Sequence, residues 1–214
     1  MIRKPIPIPR GSRVRTIYDT KKITQNSGTL DFFKGPATGG ITVSNYDQNP
    51  FPGQRHRLFG ALQLQIVSAA GEVHYASDAA GNLAAALAKF NALTNGAVRV
   101  SADQDEKLML RAPIEDYLEV SKGVAGGSSQ TADVGIGHFQ FGTTGVRSIN
   151  DPFVLGPVQT LQAQVVFANP AAFVNDWTAI TGSEDLHLRM KFHIVELNDQ
   201  QLNEAANALG MSIG

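Results

Sequence analysis

Apolar and polar side chains alternate along LHLRMKFHIVEL, residues 186–197. Leu186, Leu188, Met190, Phe192 and Ile194 fall on one side of an extended chain, and His187, Arg189, Lys191 and His193 on the other. A period of two predicts a strand with one buried face. LQLQIV repeats the device, with Leu62, Leu64 and Ile66 opposite Gln63 and Gln65. In VQTLQAQVVF, Leu161, Ala163 and Val165 oppose Gln162 and Gln164. One buried face and one wet or contacted face belong to an antiparallel sheet packed on a second sheet.

Further strands are predicted at 14–23, 28–33, 40–45, 72–76, 97–101, 106–112, 117–121 and 135–142. Turn-forming residues separate them, in FKGPATGG, DQNPFPGQ, TNGA, GVAGGSSQ, INDP and ITGSED. Many short strands with turns between them predict a mainly β sandwich or barrel of about eight antiparallel strands. Two segments break the pattern. SDAAGNLAAALAKFNAL predicts a helix over 78–93, rich in alanine and leucine and ended by Asn95-Gly96. NDQQLNEAANALG predicts a closing helix over 199–209, capped near Asn198 or Asp199 and stopped at Gly210. Residues 123–131 are the low-complexity stretch and read as a mobile loop.

The first residues, MIRKPIPIPRGSRVR, fit none of these elements. Pro5, Pro7 and Pro9 lack amide donors and fix φ, which keeps them out of helix interiors and central strands. The segment predicts an extended strap over 1–15, which in polyproline form spans about 45 Å, and a folded domain over 16–214. Charge sets the strap apart. Residues 1–22 hold seven Lys and Arg against Asp19, a balance of +6, and the rest of the chain holds 11 basic and 18 acidic residues, a balance of −7. A basic segment on a mildly acidic body points to contact with something anionic. Arg3, Lys4, Arg10, Arg13 and Arg15 are the candidate contacts with nucleic acid or a membrane surface. Ile2, Ile6 and Ile8 are candidates for docking on a neighbouring subunit, because a purely solvating tail has no use for three isoleucines.

Composition narrows the chemistry. With 43% hydrophobic residues the 214-residue chain has material for a core of its own. The absence of cysteine excludes a disulfide framework, thiol catalysis and Cys-ligated metal. No apolar run is long enough to span a membrane, and the N-terminal segment lacks the apolar stretch of a secretory signal. The histidines, His56, His74, His138, His187 and His193, lack metal-binding spacing. His187 and His193 share a strand face but stand roughly 20 Å apart. Asp103, Asp105 and Glu106 read as a hairpin turn rather than a calcium loop. Glu115, Asp116 and Glu119 offer carboxylates without a defined pairing. GVAGGSSQ has no lysine after its glycines, GIGHFQFG lacks a third glycine in a βαβ setting, and there is no GxSxG. Trp177 reads as a plug at the end of a sandwich, with a sugar platform as the other reading. No catalytic, metal or cofactor site is expected, and the chain does not read as an enzyme.

GTLDFFKG, FPGQRHRLFGALQLQIV, DPFVLGPVQTLQAQVVFANP and EDLHLRMKFHIVEL follow one another in an order that resembles the jelly-roll capsid proteins of tailless icosahedral phages. The resemblance covers roughly residues 28–67 and 152–197. It implies one jelly roll with 78–93 as an inserted helix, since the chain is too short for the two rolls many such proteins carry. It also implies a structural virion protein that assembles with itself and with other virion proteins into an icosahedral shell. The strap would then meet the genome or an internal membrane. A carbohydrate- or receptor-binding sandwich, such as a virion spike, is the alternative. A cupin-type enzyme would require histidines and a carboxylate converging inside the barrel, whereas the alternation puts His187 and His193 on the face opposite the apolar one.

Overall fold

The computed structural model describes residues 8–23, 28–34, 55–67, 75–76, 93, 95–102, 107–118, 120–123, 138–141, 147–157, 159–169 and 187–209. Within them the chain is mainly β, as two four-stranded antiparallel sheets that form a sandwich, with one C-terminal helix. The first sheet has the order β1-β11-β3-β9, from Arg13–Lys22, His187–Leu197, His56–Val67 and Arg147–Leu155. The second has the order β2-β10-β5-β6, from Thr29–Phe32, Leu161–Phe167, Gly96–Ala102 and Lys107–Pro113. A smaller sheet joins β4 (Tyr75–Ala76), β8 (His138–Phe141) and β7 (Val120–Gly123) in the order β4-β8-β7.

Period-two alternation builds the core. Leu188, Met190, Phe192 and Ile194 of β11 are buried, in one cluster with Leu161, Ala163 and Val165 of β10 and Val98 and Val100 of β5. The two sheets therefore share one apolar interior. Phe192 lies at its centre, edge-on to Phe59 with ring centroids 5.2 Å apart and tilted against Phe33 at 5.6 Å. Phe59 stacks on Phe153 at 4.8 Å.

β3 achieves its burial through a bulge. Phe59 pairs with Ile194 and Ala61 with His193, so Gly60 is an extra residue. The bulge changes which parity points inward. Phe59 faces the core before it, Leu62 and Leu64 after it. On the other side Phe59 pairs with Phe153 and Ala61 with Ser148, so Gly60 stands opposite residues 149–152. Those residues are INDP, read from sequence as a loop. They lie inside β9, at the edge of the sheet, with Ile149 buried. Their turn chemistry is expressed as a bulge in an edge strand, where proline costs no central ladder bond.

The strands expected at 14–23, 28–33, 97–101 and 106–112 match β1, β2, β5 and β6 to within a residue or two. The strand expected at 117–121 begins later. Ile114–Asp116 form a single 3-10 turn, Leu118 makes an isolated parallel bridge to Leu64, and β7 starts at Val120. The expected strand at 40–45, Trp177 and the helix expected over 78–93, apart from the buried helical Leu93, lie outside the described residues. Gly96 opens β5 so close to β10 that an added Cβ would fall onto the Val166 carbonyl oxygen.

The closing helix α1 (Asp199–Leu209) forms where expected. Asn198 accepts the Gln201 amide on Oδ1 at 2.9 Å, and Gln201 Oε1 accepts the Asn198 amide at 3.0 Å. This reciprocal capping box satisfies two amides that the first helical turn leaves open. Leu202 and Ala205 of α1 then cover Leu58, Val195 and Leu197 on the outer face of the first sheet.

Candidate functional site

Of the strap residues, Ile2, Arg3, Lys4 and Ile6 lie outside the described residues. Ile8 is 57% exposed. Residues 9–12 then turn. Ser12 donates its amide to the Pro9 carbonyl at 3.2 Å and its hydroxyl to the same oxygen at 2.6 Å, with Gly11 at φ +79°. That φ favours glycine at the third position of the turn. The Arg10 carbonyl accepts Gln201 Nε2 at 2.8 Å, so the capping glutamine also fixes where the strap departs. β1 begins at Arg13. The extended strap expected to run to residue 15 is therefore interrupted at Pro9, and Arg13 and Arg15 belong to the sheet.

Arg15 is already engaged. Its Nη1 donates to Glu196 Oε1 at 3.1 Å, and Glu196 is buried. A buried carboxylate requires such a partner. Arg10 and Arg13 are exposed. Two further buried ionic groups of this sheet are structural. Asp19 accepts the Thr20 and Phe33 amides, each at 2.9 Å, and pairs with Lys21 at 3.1 Å. The Phe33 bond holds that residue at φ 59°, a conformation bulky side chains seldom adopt, and its ring is buried in the core. Arg57 donates Nη2 to the Gly156 and Gln159 carbonyls and so closes the β9–β10 connection.

The chemistry that does converge lies on the outer face of β1, β11 and β3. Register places Thr16 opposite His193, Tyr18 opposite Lys191, Thr20 opposite Arg189 and Lys22 opposite His187. On the other flank Lys191 pairs with Gln63 and Arg189 with Gln65. Arg189 donates Nε to Thr20 Oγ1 at 3.0 Å, and its guanidinium lies 4.9 Å from the centre of the Tyr18 ring. Thr16 Oγ1 and His193 Nδ1 are 3.1 Å apart. His193 Nε2 is buried without a hydrogen-bond partner among the described residues.

This row is electrostatically tense. Burial pulls the Lys191 ammonium below its ordinary pKa, and Arg189 beside it pulls the same way. His193 is lowered by burial and then by Lys191. Arg189 is lowered by burial, partly offset by Tyr18. The neighbouring strand positions on this face hold Thr16, Tyr18, Thr20 and Lys22 on β1 and Ala61, Gln63, Gln65 and Val67 on β3, with Thr20, Gln63, Gln65 and Val67 buried. Sequence reading took these positions as an exposed polar face. The alternation gave the side of the strand, but charge concentration required knowing that β1 lies against β11.

Among the described residues no three His, Asp or Glu side chains gather as a metal site, and no helix is long and apolar enough to cross a membrane. No family model, curated protein or solved structure matches the chain.

Proposed function

We propose that this chain is a single jelly roll that assembles with copies of itself into the icosahedral shell of a virion. The strand order carries the reading. Numbered along the chain, the eight sandwich strands β1, β2, β3, β5, β6, β9, β10 and β11 lie first-eighth-third-sixth in one sheet and second-seventh-fourth-fifth in the other. Every connection except the β5–β6 hairpin crosses between sheets. That is the order of two Greek keys rolled together, an architecture used by viral capsid domains as well as by lectins and cupins. The basic N-terminal segment favours the shell among these uses. Its exposed Ile8 and Arg10 leave the body beside the cap of α1. On this reading Ile2, Ile6 and Ile8 dock on adjacent subunits, and Arg3, Lys4 and Arg10 face the anionic contents, genome or internal membrane.

Sedimentation velocity and negative-stain microscopy of the purified chain test this directly. Closed particles, or pentamers and hexamers that close into them, are the expected result. Deleting residues 1–8 spares the Pro9–Ser12 turn and β1, so the thermal unfolding of the subunit should hardly move while particle formation fails. A strict monomer at every salt and protein concentration would overturn the reading.

A further inference from the structure

We propose that the outer face of the second sheet along β6 is an interface between copies of this chain, in which Arg99 and Arg111 of one copy pair with Glu115 and Asp116 of the next. The inference rests on the shell reading only for bringing copies together. The interface itself follows from the register of β5 and β6 and from the 3-10 turn that ends β6.

Register sets Asp31, Gln164, Arg99 and Arg111 in one row across β2, β10, β5 and β6. Val98 and Val100 on either side of Arg99 are buried in the core, so the row faces outward. Its acid is already engaged. Asp31 accepts Gln164 Nε2 at 2.8 Å and stands 3.9 Å from Lys34 Nζ. It is also two strand spacings, about 10 Å, from Arg99. Arg99 and Arg111 are directly opposite each other, which places their Cβ atoms about 5 Å apart. Both are exposed, and neither takes part in the ion pairs among the described residues. Like charges directly opposite destabilise a sheet. A lone subunit carries that cost, and a matching pair of carboxylates offsets it. Ser101 and Leu108 come next along the face, opposite each other. Ser101 is buried and Leu108 is 58% exposed, so the open part of the face is its β6 margin.

The same chain carries the complement. Glu115 and Asp116 are exposed, adjacent carboxylates in the turn Ile114–Asp116. Their Cα atoms are about 3.8 Å apart, close to the spacing of the arginines. The turn is anchored. Ile114 and Tyr117 are buried, Leu118 donates its amide to the Ile114 carbonyl at 2.8 Å, and the Tyr117 carbonyl accepts the Leu64 amide at 3.0 Å. Both patches are thus fixed to the core before a partner arrives, which lowers the entropy cost of joining them. A guanidinium can meet a carboxylate through two parallel bonds, so arginine suits such contacts better than lysine. The backbone of β6 is a poor template for a further strand. Met109 is an extra residue between the Val100–Leu110 and Ser101–Leu108 pairs, and Pro113 has no amide to donate. Copies therefore meet through side chains. A contact between two different patches can run head to tail, and head-to-tail contacts close into the rings a shell requires. Nucleic acid fits less well. Ala97, Pro113, Ser101 and Leu108 flank the two arginines along the strands, and Gln164 lies beside Arg99, so no line of cations continues for a phosphate chain to follow.

Sedimentation velocity of the full chain tests the interface with two charge-reversed variants, Arg99→Glu with Arg111→Glu, and Glu115→Arg with Asp116→Arg. All four positions are exposed, and unchanged thermal unfolding shows that the variants are folded. Each variant alone sets like charges against each other and should lose the oligomer that the wild type forms. Mixed in equal amounts the two should recover it, because acidic patches then meet basic ones at every contact. A chain with all four changes should recover it alone. Reversed variants that assemble as the wild type does would overturn the inference. So would a mixture and a fourfold variant that both stay monomeric. An Arg99→Glu, Arg111→Glu chain that assembled normally but lost binding to a 20-mer of deoxythymidine would also overturn it, by giving the arginines to nucleic acid. Closed particles from both reversed variants would remove this interface and leave the shell standing. Charge-dependent oligomers that never close into particles would keep the interface and remove the shell. A wild type that stayed monomeric throughout would remove both.

Discussion

The two ends of β11 share one outer face and have opposite fates. At one end Val195 and Leu197 point outward and are buried beneath α1 together with Leu58. At the other His187, Arg189, Lys191 and His193 point outward and stay partly exposed. The inner face is apolar throughout until Glu196, which is held by Arg15. A strand covered on one side shows alternation, and a strand covered on both sides loses it. β11 passes from the first condition to the second at Ile194, and the burial of Ile194, Val195, Glu196 and Leu197 in succession records the change. The helix-covered end is a finished piece of core. The cationic end has no helix over it and keeps its alternation.

The sharpest way to break this comparison is to cut the face they share. Phe192→Ala removes a fully buried ring from between Phe59 and Phe33, and the loss of transfer energy together with the cavity should cost about 3–5 kcal/mol. Lys191→Ala, one residue along and on the outer face, should change stability by no more than about 0.5 kcal/mol. Urea denaturation of the two variants measures both. Similar losses from both would mean that the cationic end is as fully packed as the inner face, and would remove the contrast.

A smaller effect is expected at the helix-covered end. Asn198→Ala removes the acceptor of the Gln201 amide and half of the capping box. The loss should be about 0.5–2 kcal/mol. Because Gln201 also holds the Arg10 carbonyl, amide exchange at residues 10–12 should quicken in the same variant. Exchange confined to α1 would show that the strap's departure point is fixed by the Pro9–Ser12 turn alone.

Much of this contrast was legible in the sequence. The alternation in β10 and β11 identified the buried sides, and a helix cap near Asn198 or Asp199 was readable from residue type, whereas the part Gln201 plays in it was not. What the pattern missed follows from pairing. INDP carries three turn-forming residues, yet β3 holds it as a bulge opposite Gly60, a relation between segments some 90 positions apart. Arg15 read as a contact for an external anion, but Glu196, 181 positions away, takes it up inside the protein. The cationic row was visible as alternate residues, whereas its reinforcement by Lys22 and its threonine and glutamine borders depend on β1 and β3 flanking β11. Local pattern decides which side of a strand is wet. Only topology decides which wet sides adjoin.

The last and smallest effect concerns His193, where the two ends meet. Its neighbours on the face are Thr16 across β1, Ala61 across β3 and Lys191 two positions along its own strand, while Glu196 lies on the inner face. Burial and Lys191 together lower its pKa in the folded protein below the ordinary value of 6.5. The unfolded chain therefore binds a proton at this residue at a higher pH than the folded one does. The resulting stability is fully present above the unfolded pKa. It is lost as the pH falls through that value and levels off below the folded pKa. His193→Gln removes the titration and leaves a side chain that can still meet Thr16. Between pH 7.5 and pH 5 the wild type should thus lose more thermal stability than the variant, with the two curves converging in shape above neutrality. Adding Lys191→Gln should shrink that pH dependence, because one of the two causes of the lowered pKa has gone. Identical pH profiles for wild type and His193→Gln would mean that the imidazole is as well solvated folded as unfolded, and the boundary between the packed end and the cationic end would have to be moved toward Ile194.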